Sequence, residues 1–279
     1  GRHVWVVFGN GVAACYDLEG DRLWARFIEK PPNSWGTSNT PVLADGKLIL
    51  HINPMRALDP LTGEEIWVQP EAAWNWGTSW VEEIGGETLI FTCSGDVVRA
   101  RDGEIIAEGL GYLKWGSGPI VEDGVLYYID SQGGEAVSRA WRLPETAALP
   151  FEPELLWQAE PKKDRYYASP IIADGLIYAV TRAGVLSCLD AATGEIVYEQ
   201  DLQFGKPDVF ASIVMADGVL MVTHENGTTV VFRPGREYVE VARNQLGDMV
   251  RSTPVFAGDF MYVRGYENLY CIGREGRVD

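Results

Sequence analysis

Three tetrapeptides hold the side chains best suited to gripping a ligand: Trp35-Gly-Thr-Ser, Trp76-Gly-Thr-Ser and Trp115-Gly-Ser-Gly. Tryptophan joins a large apolar face to an N–H donor, so a row of them can stack on sugar or other flat rings, or clamp an extended peptide. Farther along, Arg165, Tyr166, Tyr167, Phe210 and Arg251 stand at comparable spacing. Together these residues read as an aromatic rim broken by hydroxyls and two arginines. For each tryptophan taken alone the competing role is packing between neighbouring elements. Other chemistry is sparse. His3, His51 and His224 lie far apart without metal-ligand spacing. No nucleophile elbow, Walker loop or dinucleotide fingerprint occurs. Acidic residues are numerous, but one sequence does not single out a catalytic carboxylate pair.

Composition sets the frame for these residues. The 279 residues are 46% hydrophobic and include 31 Gly, 15 Pro and 10 Trp, which is enough to bury a core and excludes disorder. The net charge of -17, with no long basic stretch, argues against an extended nucleic-acid footprint. No apolar run reaches the ~18 residues of a membrane helix, and no signal peptide is visible. Cys15, Cys93, Cys188 and Cys271 form no C-x-x-C pair and do not fix the redox compartment.

The elements that position the rim emerge from internal repeats. An apolar run, an Asp-Gly turn and a second β-rich run recur in Pro41-Val-Leu-Ala-Asp-Gly46, Pro119-Ile-Val-Glu-Asp-Gly124, Pro170-Ile-Ile-Ala-Asp-Gly175 and Ser212-Ile-Val-Met-Ala-Asp-Gly218. Weaker copies are centred on Gly86 and Gly258, and Gly1 stands where a seventh anchor glycine belongs. The anchors recur every 38 to 51 residues, about 43 on average. That length fits four short strands with turns, the blade of a β-propeller. A second turn follows in each repeat: Ala57-Leu-Asp59-Pro-Leu-Thr-Gly63-Glu-Glu-Ile-Trp67, Cys188-Leu-Asp190-Ala-Ala-Thr-Gly194-Glu-Ile-Val-Tyr198 and the shorter Cys15-Tyr-Asp17-Leu-Glu-Gly20-Asp-Arg-Leu-Trp24. Asp bonds its own backbone two residues on, Gly supplies φ > 0, and the aromatic packs on a neighbour. Each blade therefore reads as strands a, b, c and d. Trp24, Trp67 and Trp157 fall on strand d as packing residues, and Cys15, Cys188 and Cys271 are expected as small core residues.

The Ala-x-Asp-x-x-Thr-Gly-x-x-x-Trp turn in a repeat of this length resembles the PQQ-like propeller repeat of quinoprotein alcohol dehydrogenases and of the outer-membrane assembly lipoprotein BamB. The resemblance runs over essentially the whole chain. It implies an all-β propeller of about seven four-stranded blades, eight being possible in a parent protein, as a single domain over 1–279. A WD-repeat propeller fits less well, because no Gly-His and Trp-Asp pair marks the blades. By resemblance the protein is bacterial, and periplasmic or secreted. Quinoprotein dehydrogenases of this kind hold PQQ over Ca²⁺ beside a disulfide of adjacent cysteines. This sequence has no adjacent cysteines, so the expectation is no cofactor.

In such propellers the d-to-a and b-to-c loops gather on one face around the central channel, where ligands bind. Each Trp-Gly-Thr/Ser lies just before strand a, which puts Trp35, Trp76, Trp115, Arg165, Tyr166, Tyr167, Phe210 and Arg251 at the channel mouth. Those loops are close to electrically neutral, and nearly all of the -17 falls on strands and the opposite hairpins. Asn226-Gly-Thr reads as a b-to-c hairpin turn rather than a glycosylation site. The extra residues between Leu143 and Glu154 read as a protruding c-to-d loop. The chain opens on strand b and closes on strand c, so both terminal blades are incomplete and a fragment of a longer protein is expected. The function that follows is a non-catalytic scaffold binding a protein, peptide or carbohydrate. The alternative is a divergent quinoprotein oxidoreductase or a carbohydrate-active enzyme.

Overall fold

The structure, a computed structural model, describes residues 1–273 apart from 73, 75, 134, 135 and 207, and leaves out the side chains of 133 and 136. The described residues form strands and turns without a helix, so none offers a helix long and apolar enough to cross a membrane. Seven antiparallel sheets follow one another in chain order, each with its strands in simple up-and-down succession. Blade one holds β1 (His3–Val7), β2 (Val12–Asp17) and β3 (Arg22–Phe27), and blade two holds β4 (Val42–Ala44), β5 (Lys47–His51), β6 (Met55–Leu58) and β7 (Glu65–Gln69). Blade three holds β8 (Trp80–Ile84), β9 (Glu87–Phe91), β10 (Val97–Arg99) and β11 (Ile105–Ala107). Blade four holds β12 (Ile120–Glu122), β13 (Val125–Gly133), β14 (Ala136–Arg142) and β15 (Glu154–Ala159). Blade five holds β16 (Ile171–Ala173), β17 (Leu176–Val180), β18 (Val185–Asp190) and β19 (Ile196–Asp201). Blade six holds β20 (Val214–Ala216), β21 (Val219–Thr223), β22 (Thr228–Arg233) and β23 (Val239–Gln245). Blade seven holds β24 (Val255–Ala257), β25 (Phe260–Arg264) and β26 (Leu269–Ile272), so among the described residues the first and last sheets have three strands. Two compact units result: Gly1–Tyr128 with Gly134–Trp157, and Ile129–Gly133 with Gln158–Asp279.

The a-to-b turns explain their own sequence. Asp45 and Gly46 have φ of 48° and 69°, and Asp217 and Gly218 have 49° and 74°. Two successive positive φ values define the type I′ hairpin turn, whose twist matches that of the strands, and Asp-Gly is among its best fillers. In the c-to-d turn, Asp59 Oδ1 accepts the N–H groups of Leu61 and Thr62, both at 2.8 Å, and the Gly63 N–H returns to the Asp59 carbonyl at 2.8 Å. Those backbone donors hold the Asp59 carboxyl below its ordinary range, the Thr62 N–H foremost. Asp190 accepts from Ala192 and Thr193 in the same way, both at 3.2 Å.

Two strand-d tryptophans join blade one to blade two and blade two to blade three. Trp24 Nε1 donates to the Pro60 carbonyl at 3.0 Å, and Trp67 Nε1 to the Ala100 carbonyl at 3.0 Å. Each indole also covers the turn glycine of the following blade: a Cβ on Gly63 would stand 2.8 Å from the Trp24 ring, and one on Gly103 2.8 Å from the Trp67 ring. Within blades one, two and five a strand-d aromatic pairs across the ladder with a small residue on strand c: Trp24 with Cys15, Trp67 with Ala57 and Tyr198 with Cys188. A β-bulge follows each of those pairs and re-aims strand c toward the turn.

The cores are apolar wedges between successive sheets. In the first unit one wedge joins Cys15 and Trp24 to Leu48, Leu50 and Leu58, and another joins Leu89, Phe91 and Val97 to Leu126 and Tyr128. In the second unit Tyr178, Leu186 and Cys188 pack with Leu220, Val230 and Phe232. Two expectations change. Cys271 is exposed rather than buried, because β26 is the last strand of its sheet and no strand d covers it among the described residues. The segment between Leu143 and Glu154 does lie between strands c and d, yet it folds back instead of protruding throughout. Leu143 and Phe151 enter the blade-three and blade-four wedge, and the Thr146 Cα would stand 2.9 Å from a Cβ on Gly85.

Candidate functional site

In the second unit the loops before strand a and after strand b are tied into one belt. Arg182 N–H bonds the Arg165 carbonyl and Val209 N–H bonds the Arg182 carbonyl, both at 2.8 Å. One blade on, Glu225 N–H bonds the Asp208 carbonyl at 3.2 Å and Val250 N–H bonds the Glu225 carbonyl at 2.9 Å. Tyr266 N–H then bonds the Met249 carbonyl at 2.9 Å. A hydroxyl row runs beside the belt, with Ser169 N–H donating to Ser212 Oγ at 3.1 Å and Ser212 N–H to Thr253 Oγ1 at 3.0 Å. Backbone fixed in this way presents side chains at repeating positions.

One row of those side chains forms a continuous stack. The Tyr167 and Phe210 rings lie parallel, 5.0 Å apart at 2°. The Arg251 guanidinium covers Phe210 at 4.8 Å and approaches the Tyr266 ring at 5.7 Å. Arg165 Nη1 reaches the Tyr167 hydroxyl at 3.3 Å. Beneath the stack Glu225, only 2% exposed, accepts a hydrogen bond from Arg251 Nε. In the same loops Arg182 pairs with Asp164 at 3.2 Å and lies 3.9 Å from Asp208, which raises its pKa further, the Asp164 bond contributing most. Tyr166 departs from the rim expected of it. It is 1% exposed, donates its hydroxyl to the Lys162 carbonyl at 2.7 Å, and has its phenol pushed up by burial. The neighbouring Tyr167, half-buried, takes its place in the stack.

The first unit presents its tryptophans less uniformly. Trp35 is 88% exposed, with its own N–H bonded to Asn33 Oδ1 at 2.8 Å. Trp76 is half-buried and meets Trp74 edge-on, ring centres 4.8 Å apart. Trp115 is half-buried with Lys114 Nζ 5.1 Å from its ring. The first two tetrapeptides are not equivalent in space. Ser38 Oγ donates to the Trp76 carbonyl at 2.7 Å, Asn39 Nδ2 to the Gly77 carbonyl at 3.0 Å, and Thr40 N–H to Thr78 Oγ1 at 2.9 Å. Ser38, not Trp35, thus stands opposite Trp76, a slip of three residues between sequence motif and structural register. The hydroxyls expected to punctuate a binding rim serve here as links between blades.

A family profile described as outer membrane protein assembly factor BamB matches residues 122–236. No curated protein matches the sequence. Among solved structures, BamB from Moraxella catarrhalis superposes with a TM-score of 0.72 at 12% identity, covering 96% of this chain and 80% of that one. The computationally designed Ika8 protein gives 0.70 at 12% identity, covering 98% and 81%. U3-55K gives 0.60 at 10% identity, covering 94% and 84%. This chain has the β-propeller fold.

The four cysteines are free and lie apart in the fold. Cys15 and Cys188 are buried in different sheets, Cys93 is buried just after β9, and Cys271 is exposed on β26. Burial pushes Cys93 up to about 12 and Cys188 up to about 11, which keeps both protonated and inert at neutral pH. No three His, Cys, Asp or Glu side chains gather as a metal site among the described residues. Glu225 and Tyr266 were not singled out from the sequence. Their signal was faint: with Arg182 they recur 43 and 41 residues apart just after strand b, but as three different residue types.

Proposed function

We propose that this chain is a PQQ-like propeller and a non-catalytic binding scaffold that takes a protein or peptide ligand on the loops before strand a and after strand b, and that it works as one domain, without a quinone, outside the bacterial cytoplasm. The observation that carries the reading is the open stack of Tyr167, Phe210, Arg251 and Tyr266 on a hydrogen-bonded backbone belt. Flat rings and a guanidinium held in advance lose little side-chain entropy when a ligand arrives, which is how a rigid surface gains affinity. Solvent-exposed Trp35 and the Trp74–Trp76 pair offer a further aromatic surface in the first unit. The likeness to BamB, whose description names outer-membrane assembly, supports a protein partner and an extracytoplasmic place.

A combined peptide and glycan array probed with wild type, Trp76→Ala and Phe210→Ala tests this. Peptide binding by wild type and loss of signal in at least one variant are expected. An array on which wild type binds nothing, with dye-coupled alcohol oxidation appearing on addition of PQQ and Ca²⁺, would replace the scaffold by the quinoprotein alternative.

A further inference from the structure

The stack on which the proposed function rests also specifies a ligand group. We infer that Arg251 is a receptor for a single carboxylate, and that its ligand is an extended peptide segment presenting an Asp or Glu beside an aromatic residue.

Arg251 has its Nε committed to the buried carboxylate of Glu225 and its faces against Phe210 and Tyr266. Its two terminal nitrogens have no partner among the described residues, and its side chain is 52% exposed. A guanidinium held this way turns one edge with parallel N–H donors outward, and a carboxylate fills that edge with two hydrogen bonds. The rotamer is fixed before binding by the ion pair below and the rings beside it, so the ligand need not order it.

Charge decides between anions. Glu225 already opposes Arg251, so the site suits a monoanion rather than a phosphate dianion. Length decides between a sugar acid and a peptide. From Tyr167 to Tyr266 the row runs in steps of 5.0, 4.8 and 5.7 Å, longer than one sugar ring. At about 3.3 Å per residue an extended peptide would lay several residues along it. Tyr266, 60% exposed, offers an open ring for the aromatic neighbour of the acid.

The test is calorimetric titration of the whole chain with the capped tetrapeptide Gly-Trp-Glu-Gly, its Gln counterpart, a phosphoserine counterpart and glucuronate. The Glu peptide should bind about tenfold or more tighter than the Gln peptide, since charge-assisted bonds are roughly twice as strong as neutral ones. Arg251→Lys keeps the charge but loses the paired donors, and should weaken the Glu peptide at least about fivefold and the Gln peptide by less. Arg251→Gln should abolish the difference between the two peptides. Equal binding of Glu and Gln peptides, preference for phosphoserine or glucuronate, full affinity in Arg251→Lys, or no binding of the Glu peptide would each overturn the inference. Peptide binding that ignores Arg251 would leave the scaffold intact; a wild type that binds no peptide on the array would remove the scaffold itself.

Discussion

His51 shows how one buried residue couples this molecule to pH. It ends β5 with Nε2 3.2 Å from the Ala72 carbonyl and only 7% of its surface exposed. Burial, slightly offset by that hydrogen bond, lowers its pKa from 6.5 to about 4, so the fold holds the neutral imidazole. The unfolded chain binds the proton more tightly than the folded one. The stabilising effect of the neutral ring is therefore full above pH 6.5 and fades as pH falls toward 4, with a total of about 3 kcal/mol. His51→Gln keeps a donor for the carbonyl and removes the titration. Urea denaturation at pH 7 and at pH 4.5 should show wild type losing about 2 kcal/mol more than the variant between the two. Equal losses would mean that His51 does not sit in the fold as a buried base. Nothing in the spacing of the three histidines announces this role, because it depends on what surrounds the ring and not on its neighbours in the chain.

At the scale of the turn and strand, a glycine's cost of substitution separates backbone conformation from contact. Gly46 and Gly63 share nearly the same φ, 69° and 68°, but a Cβ on Gly46 meets nothing within 4 Å while one on Gly63 meets the Trp24 indole at 2.8 Å. Gly46→Ala should cost about 1 kcal/mol for the left-handed conformation alone. Gly63→Ala should cost about 2 to 4 kcal/mol, because overpacking against the ring adds to that strain. Unfolding midpoints of the two variants check the difference, and equal midpoints would remove the contact from the account. Trp67 gives the reciprocal test. Trp67→Phe keeps a ring on Gly103 but leaves the Ala100 carbonyl without its donor, a loss of about 1 to 2 kcal/mol. Trp67→Ala also opens the wedge and should lose about 3 to 5 kcal/mol. The strands, Asp-Gly turns and Thr-Gly turns were legible in the sequence because each needs a backbone conformation that few residues tolerate. That the strand-d aromatic and the turn glycine belong to successive blades was not, since the contact joins positions 39 residues apart for Trp24 and Gly63. The three-residue slip between Trp35 and Trp76 was hidden for a related reason: the tetrapeptides match as text, while the hydrogen bonds align Ser38 with Trp76.

Over the whole molecule a repeated sequence does not imply repeated stability. Period and turn chemistry predicted seven similar blades, and the sheets do follow that order, but burial differs sharply among them. Within the second unit all five residues of β17 are buried, whereas all three of β24 are exposed. Leu269 on β26 is 72% exposed and Val255 on β24 59%. The candidate site spans that gradient, since Tyr167 precedes the well-buried blade five and Tyr266 lies between β25 and β26. The stack, the belt and the Glu225–Arg251 pair then anchor a weakly buried sheet to its neighbour by polar and aromatic contacts instead of by a deep apolar core. Local opening free energies follow buried apolar contact, so the sheet of β24 to β26 should open first in the second unit. Hydrogen–deuterium exchange read by mass spectrometry at neutral pH should find amides of β17 and β18 slowest and those of β25 and β26 at least about a hundredfold faster, a difference of about 2.7 kcal/mol in opening free energy. Saturating the protein with the Gly-Trp-Glu-Gly peptide should slow β25 and β26 and leave β17 unchanged, because a ligand on Arg251 and Tyr266 stabilises only the closed form of that sheet. Uniform exchange across the three sheets, or ligand protection confined to β17, would contradict this gradient and the placement of the ligand along it.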